Sequence, residues 1–540
     1  DVWVCATEHQ RISTPTHPHL PRRAEVRTPF HLQVSATTMV ISSPANNRMI
    51  DDRGNSAATA AITNATSEGG PPRDRRISNE QLLAAVAEGD VERVGEWRCQ
   101  NNDHVVARGG DDIMIADRIN GIRDGDGNTV LHLAARNGHF DLTKWLMEEF
   151  GFRLDAGVRN GDGWTPLHCS AQYGHLDIIR YLIMASSPHG AADASAKSIT
   201  GNLPLHIASY TGQLHVIRFF VEECGIDINT KGEAGYTPLN ALCQNGHLTV
   251  VQSVMAQYGK DADLNIYNDS GWTPLHSAAF NGYWEVARFL IEELGQYHSP
   301  FSFCRETPLY FASRNGHLPT VRYFVEVVGV DTKNYETIDR RTIAFPAAGG
   351  NHVAVLRYLL ERDAVDINAQ EQNGFQALHL ACKNGSFDAV KCLMESGKAE
   401  LDTPAAQTGW TPLHMFMHKG CLEEIKYMLR YDEVDVNKKT KQELTTLQIA
   451  SYFGRWEVVK HLVEQYRMDV DVQDALGVSP LHAAAQAQEN HFEVAQYLVH
   501  SCGSHINTTD NSGSSPMHVA LARGHDDMLE CILRGSAARP

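Results

Sequence analysis

Gly163-Trp164-Thr165-Pro166-Leu167-His168 returns as Gly271-Trp272-Thr273-Pro274-Leu275-His276 and again as Gly409-Trp410-Thr411-Pro412-Leu413-His414. Aligned on the last residue, the pattern runs through His132, His168, His206, Asn240, His276, Tyr310, Phe345, His379, His414, Gln448, His482 and His518, in steps of 34 to 38 residues. One unit of that length therefore occurs twelve times, numbered 1 to 12 from His132 onward. Unit 2 shows the grammar. Asp162-Gly163 supplies a tight turn. Thr165 suits a helix N-cap, and Pro166 suits the first helical position, where no amide donor is missed. Gly174 ends this short helix by accepting a left-handed conformation. A second helix follows, its stripe formed by Leu176, Ile178, Ile179, Leu182 and Ile183. Neither helix buries its apolar face alone, so the units are expected to stack.

Thr-Pro-Leu-His, the Ala134, Ala135, Gly138 and His139 stretch, an aliphatic second helix and an Asp-x-Asn ending together carry a resemblance. The endings stand at Asp227/Asn229, Asp263/Asn265, Asp366/Asn368 and Asp435/Asn437. On these residues the chain resembles the ankyrin repeat family over 124 to about 536. The resemblance implies an all-α repeat solenoid of stacked helix-turn-helix units with β-hairpin-like turns, in a curved, elongated array. Upstream, residues 78–98 look like an N-terminal capping repeat, Ser78 and Gln81 having capping-box spacing. The domain reading is a tail at 1–77, a cap and irregular connection at 78–123, twelve repeats at 124–536 and a short end at 537–540. The tail holds seven of the 21 prolines, many Ser and Thr and no apolar period, and is expected to be disordered.

Some units depart from the pattern. Unit 7 places Pro346 where a helix interior is expected to need a donor, and Asn351 where others carry glycine. This predicts a local weak point that opens first in hydrogen exchange across residues 300–380. Insertions at 185–197 and 296–304 are expected to project as loops, and unit 11 carries two extra residues within 486–490.

The 540 residues carry a formal charge of -18. Nine basic and seven acidic residues make the tail +2, which leaves -20 on the array. An acidic surface repels phosphate backbones, so no nucleic acid is expected, and a protein partner with a basic patch is. No apolar run reaches the roughly 18 residues that span a bilayer, so no membrane insertion is expected. Eleven cysteines with no CxxC pair offer neither a zinc ribbon nor a thioredoxin-like centre, and suggest a reducing compartment, intracellular and cytoplasmic. The chain opens at Asp1 rather than Met, which keeps open a longer parent polypeptide.

No phosphate-binding loop, HExxH, GxSxG or kinase motif set occurs, so no catalysis, cofactor or metal is expected. Asp124-Gly125-Asp126-Gly127-Asn128 starts like a calcium loop, but Thr129 and Ala135 stand where Gly and Glu are required. Of 27 histidines, eight occupy the Thr-Pro-Leu-His position and seven the position after the turn glycine. The resemblance implies that these imidazoles tie the helix start or turn to nearby backbone. Arg75-Arg76-Ile77-Ser78 reads either as a kinase site or as an N-cap.

Function is expected in what varies. The residue before the capping Thr is aromatic in five units: Trp164, Tyr236, Trp272, Phe375 and Trp410. Rigid rings are favoured interface anchors, although a ring there also covers the neighbouring turn. Gln172/Tyr173, Phe280/Asn281, Arg314/Asn315 and Tyr452/Phe453, just before the turn glycine, are candidates on the same concave side. The expectation is a non-catalytic, monomeric scaffold or adaptor. Its rivals are the regulatory region of a larger enzyme or channel, and a substrate for hydroxylation at Asn229, Asn265, Asn368 or Asn437.

Overall fold

Each unit's two apolar stripes need partners, and the computed structural model shows how they find them. It describes residues 77–102, 118–119, 121–149, 155–184, 192–333, 337–487 and 491–537. The tail at 1–76, the middle of the connection (103–117) and parts of the insertions at 185–191 and 488–490 lie outside the described residues. Among the described residues there are 26 α-helices in thirteen consecutive pairs and no strand: an all-α repeat solenoid. First helices pack on first helices and second helices on second helices of the next unit.

The first pair, Asn79–Glu88 and Val91–Asn102, starts with the capping box that its spacing predicts. Ser78 Oγ accepts from the Gln81 amide at 3.2 Å, and Gln81 Oε1 accepts from the Ser78 amide at 3.0 Å. In unit 2 the helices are Pro166–Tyr173 and Leu176–Met184, with Thr165 extended at the N-cap and Gly174 left-handed at φ 84°. Leu167, Leu205, Leu275, Leu413, Leu447 and Leu481, the third residues of the signature, are all fully buried. Burying one such side chain contributes about 2 kcal/mol, so the stack is held by many modest terms along its length.

The turns are hydrogen-bonded brackets. Asn160 N–H donates to Trp164 O at 2.9 Å, while Asn160 Oδ1 accepts from the Asp162 and Trp164 amides. Successive tips are joined by single bonds, such as Ile199 N–H to Asp162 O at 3.0 Å and Asn511 N–H to Leu476 O at 2.9 Å. In unit 1, both carboxylate oxygens of Asp124 are engaged in such a bracket by the Asp126 and Asn128 amides and by Asn128 Nδ2. The calcium-like spelling thus belongs to a turn.

Two features differ from the sequence reading. Pro346 has no amide to donate, so the bond that the equivalent residue makes to the N-cap carbonyl in other units, such as Ser277 N–H to Thr273 O at 3.2 Å, is missing, and the first helix of unit 7 begins one residue late, at Ala344 (Ala344–Gly349). Proline is then its third residue, a position whose amide has no acceptor within the helix. Phe345 N–H takes the Thr342 carbonyl instead, at 3.2 Å. Unit 7 thus starts its first helix with one hydrogen bond fewer than these units. Asn351 does take the left-handed conformation, at φ 60°.

Second, four second helices finish in a wider π turn: Phe219–Glu223, Phe289–Glu293, Tyr323–Val327 and Tyr497–Ser501. In unit 3 the Cys224 amide reaches back to Phe219 O and the Ile226 amide to Phe220 O. Left-handed Gly225 (φ 69°) sits one place later than left-handed Asp363 does in unit 7, counting from the arginines Arg218 and Arg357. That late glycine adds a residue to the last turn.

Candidate protein-binding face

In seven units the signature histidine does two jobs at once. In unit 2, His168 Nδ1 accepts from the Thr165 amide at 3.1 Å, so Nε2 carries the proton and donates to Asn202 O of the next unit at 3.0 Å. His132, His206, His276, His379, His414 and His482 repeat this bridge, to Trp164, Thr230, Glu306, Trp410, Lys438 and Ser514 carbonyls respectively. The expected local tie is thus a joint between units. Burial pushes His168, His206, His276, His379 and His414 down to about 4 from the ordinary 6.5, and lowers His132 and His482 as well. These imidazoles are neutral structural donors.

A second tie runs backward. His175, His247, His317 and His352 donate through Nε2 to carbonyls at the end of the preceding unit's first helix: Arg136, Tyr210, Phe280 and Arg314. In unit 10, Arg455 replaces that histidine, and its Nε and Nη2 both donate to His418 O at 3.2 Å. Gln448 replaces the forward histidine there, accepting from the Thr445 amide and donating to Val478 O at 2.6 Å. Asn240 in unit 4 is one methylene too short: Oδ1 accepts from Thr237 Oγ1, and its buried Nδ2 has no partner.

The aromatic residues before the capping Thr lie against these histidines. Ring centroids are 6.0 Å apart for Trp164 and His168, 6.5 Å for Trp272 and His276, 5.6 Å for Phe375 and His379, and 6.1 Å for Trp410 and His414. Each ring thus shields its own unit's imidazole. Tyr236 and Trp410 are buried, at 3% and 4% exposure, and present almost no surface; Trp164, Trp272 and Phe375 are half-buried. Trp272 also packs against Phe280 (5.1 Å) and Phe311 (4.4 Å), joining units 5 and 6. Tyr173 is exposed with the Arg136 guanidinium 5.9 Å from its ring, whereas Phe280, Arg314 and Tyr452 are half-buried at the ends of their first helices.

Charge is divided between the two layers. The twelve first helices of the units carry five basic residues, Arg136, Arg314, Lys383, Lys419 and Arg523, and no Asp or Glu. The twelve second helices, with their π turns, carry 21 acidic and 10 basic residues. The expectation of a basic partner follows from net charge and so describes the second-helix layer; the first-helix layer has the opposite sign. Sequence reasoning passed over Lys383, Lys419 and Arg455; the signal was the absence of carboxylates from the first helix of each of the twelve units.

No group of His, Cys, Asp and Glu with metal-binding geometry occurs among the described residues, nor any helix long and apolar enough to cross a membrane. Asn229 and Asn368 each bridge to the next unit, through Nδ2 to Asp261 O and Lys398 O and through Oδ1 to the Asp263 and Glu400 amides.

Thirteen helix pairs joined forward and backward by side chains define a helical repeat solenoid. The family model for ankyrin repeats (three copies) matches residues 82–193, 131–232, 205–302, 309–405, 378–474 and 447–539, and the chain belongs to the ankyrin repeat family. Among solved structures, the crystal structure of the human ASB11 ankyrin repeat domain is 28% identical, with 43% of this chain and 98% of that one covered, at a TM-score of 0.37. Comparison with curated proteins gives no match.

Proposed function

We propose that the array is a non-catalytic scaffold or adaptor that binds another polypeptide through its first helices and turn tips. The observation that carries this reading is the division of labour along each unit. The histidines, the backward ties and the signature leucines are consumed in stacking. What varies from unit to unit, and reaches the surface, is the end of each first helix, with Tyr173, Phe280, Arg314 and Tyr452, beside the half-buried Trp164, Trp272 and Phe375. A preformed surface of rings and cations loses little freedom on binding, so weak contacts sum without a large ordering cost. Buried thiols at Cys169, Cys243 and Cys382, outside any disulfide, support an intracellular setting.

The test is site-specific photo-crosslinking in cells that express the full chain, with the crosslinker at Tyr173, Phe280 or Tyr452 and, for contrast, at Gln252 or Arg357 on second helices. Discrete protein adducts from the first three positions and not from the last two are expected. Adducts confined to the second helices, or none at all, would refute the reading.

A further inference from the structure

Units 8 to 10 bring positive charge together without an answering carboxylate. Lys383 and Lys419 end the first helices of units 8 and 9 (Ala377–Asn384 and Pro412–Lys419), are exposed, and have no hydrogen bond or ion pair among the described residues. Elsewhere the lysines Lys333, Lys426, Lys438 and Lys439 each hold a carboxylate within 3.2 Å. Arg455 joins the pair from the next unit. It lies over Gly420, where an added Cβ would meet its Cδ at 2.5 Å, and Lys419 likewise lies over Gly385, its Cε 3.3 Å from such a Cβ. Both chains are thus laid along the row of turn glycines rather than free to wander.

His418 sits among them. Its Nδ1 is buried without a hydrogen-bond partner, and its ring meets Phe453 edge-on at 4.3 Å, with Tyr452 5.0 Å beyond. Burial holds its pKa down to about 4, and the charged groups that act on it are Arg455, Lys383 and Lys419, all cations. Like charges gathered around one side chain repel one another. A partner's carboxylates would relieve that repulsion.

We propose that the first-helix ends of units 8 to 10 recognise a carboxylate-rich polypeptide segment, with Lys383, Lys419 and Arg455 meeting the acidic side chains and Phe453 with Tyr452 taking a neighbouring apolar one. This rests on the protein-binding reading above. Charge complementarity selects the occupant. The chain's own residues 1–77 are net positive and do not suit the patch. A nucleic acid would bring many phosphates to a chain of net charge -18, whereas a short acidic segment meets only the patch.

The experiment uses the full chain and a fluorescein-labelled peptide of Asp and Glu interrupted by Leu and Phe, read by anisotropy. Its counterparts are the same peptide with Lys in place of the acids, and an oligothymidylate. The proposal expects the acidic peptide to bind best, to weaken as salt rises, and to lose about tenfold or more in affinity in Lys383→Glu/Lys419→Glu. Lys460→Glu, on a second helix, is expected to leave binding unchanged, and matching circular dichroism melts establish that both variants fold. Preference for the basic peptide or the oligonucleotide, or unchanged affinity in the double variant, would overturn it. If the adducts from Tyr452 persist in the double variant while the acidic peptide fails to bind, this inference falls and the protein-binding function stands. If the unmodified chain gives no adducts, the function itself falls.

Discussion

Lowering the pH from 7 to 5 should dismantle the array through its signature histidines. His168, His206, His276, His379 and His414 have pKa values of about 4 in the fold, against 6.5 for an ordinary imidazole. Because the folded value is the lower one, the unfolded chain binds more protons between those limits, and stability falls as pH falls through 6.5 toward 4. At pH 5 each ring costs about 2 kcal/mol relative to pH 7, and the five together about 9 kcal/mol. That equals the whole stability of an ordinary domain, about 5–15 kcal/mol. Raised carboxyl pKa values at Glu306, Asp339, Asp402 and Asp474, due mainly to burial, work in the opposite direction, since those groups bind protons more readily when folded. Four groups shifted less deeply do not offset five. Urea titrations followed by far-UV circular dichroism should therefore show midpoints falling steeply between pH 6.5 and 5. The matched variant is His168→Gln/His379→Gln, since Gln448 already performs the same bridge without titrating. Its pH slope should be shallower. A midpoint independent of pH over this range, or an unchanged slope in the variant, would refute the reasoning.

Three further outcomes follow from the same geometry. Asn240→Gln lengthens the side chain that strands a buried Nδ2, and should raise the urea midpoint by about 1 kcal/mol of stability; a loss would mean that unit 4 lacks room for the bridge. Gly246→Ala places a Cβ 2.4 Å from the Tyr283 ring at φ 72°, whereas Gly225→Ala at φ 69° meets nothing within 4 Å. The second should cost about 1 kcal/mol for backbone strain alone and the first about 2 kcal/mol more, so equal melting losses would contradict the packing described. Pro346→Ala restores a donor opposite the Thr342 carbonyl and should raise stability by about 1 kcal/mol, and amide exchange across residues 300–380 of the unsubstituted chain should be fastest in unit 7. Even exchange across these residues would contradict it.

The solenoid was legible because its signals are local and repeated. A capping Thr, a first-position Pro and a left-handed Gly each act within a few residues, and twelve copies average out the irregular ones. Pro346 was legible as a missing donor, but the twelve-fold alignment hides that the helix start slides by one residue in response. The π turns depend on where one glycine falls after a second helix, a shift of a single place that hydrophobic period does not register. The aromatic candidates were found by type, but their burial depends on neighbours about 30 residues away: Trp410 is enclosed where Trp164 is not. Net charge gave the sign of the whole array and concealed that the first helices of the twelve units carry no carboxylate.

Whether the first-helix layer is the working surface is tested most directly by amide hydrogen exchange of the full chain, free and with a captured partner bound. The account predicts slowed exchange at the first-helix ends and the turns that follow them, 383–385, 418–420 and 452–454 above all, with second-helix amides unchanged. Protection gathered on the second helices, with those turns exchanging as before, would contradict it.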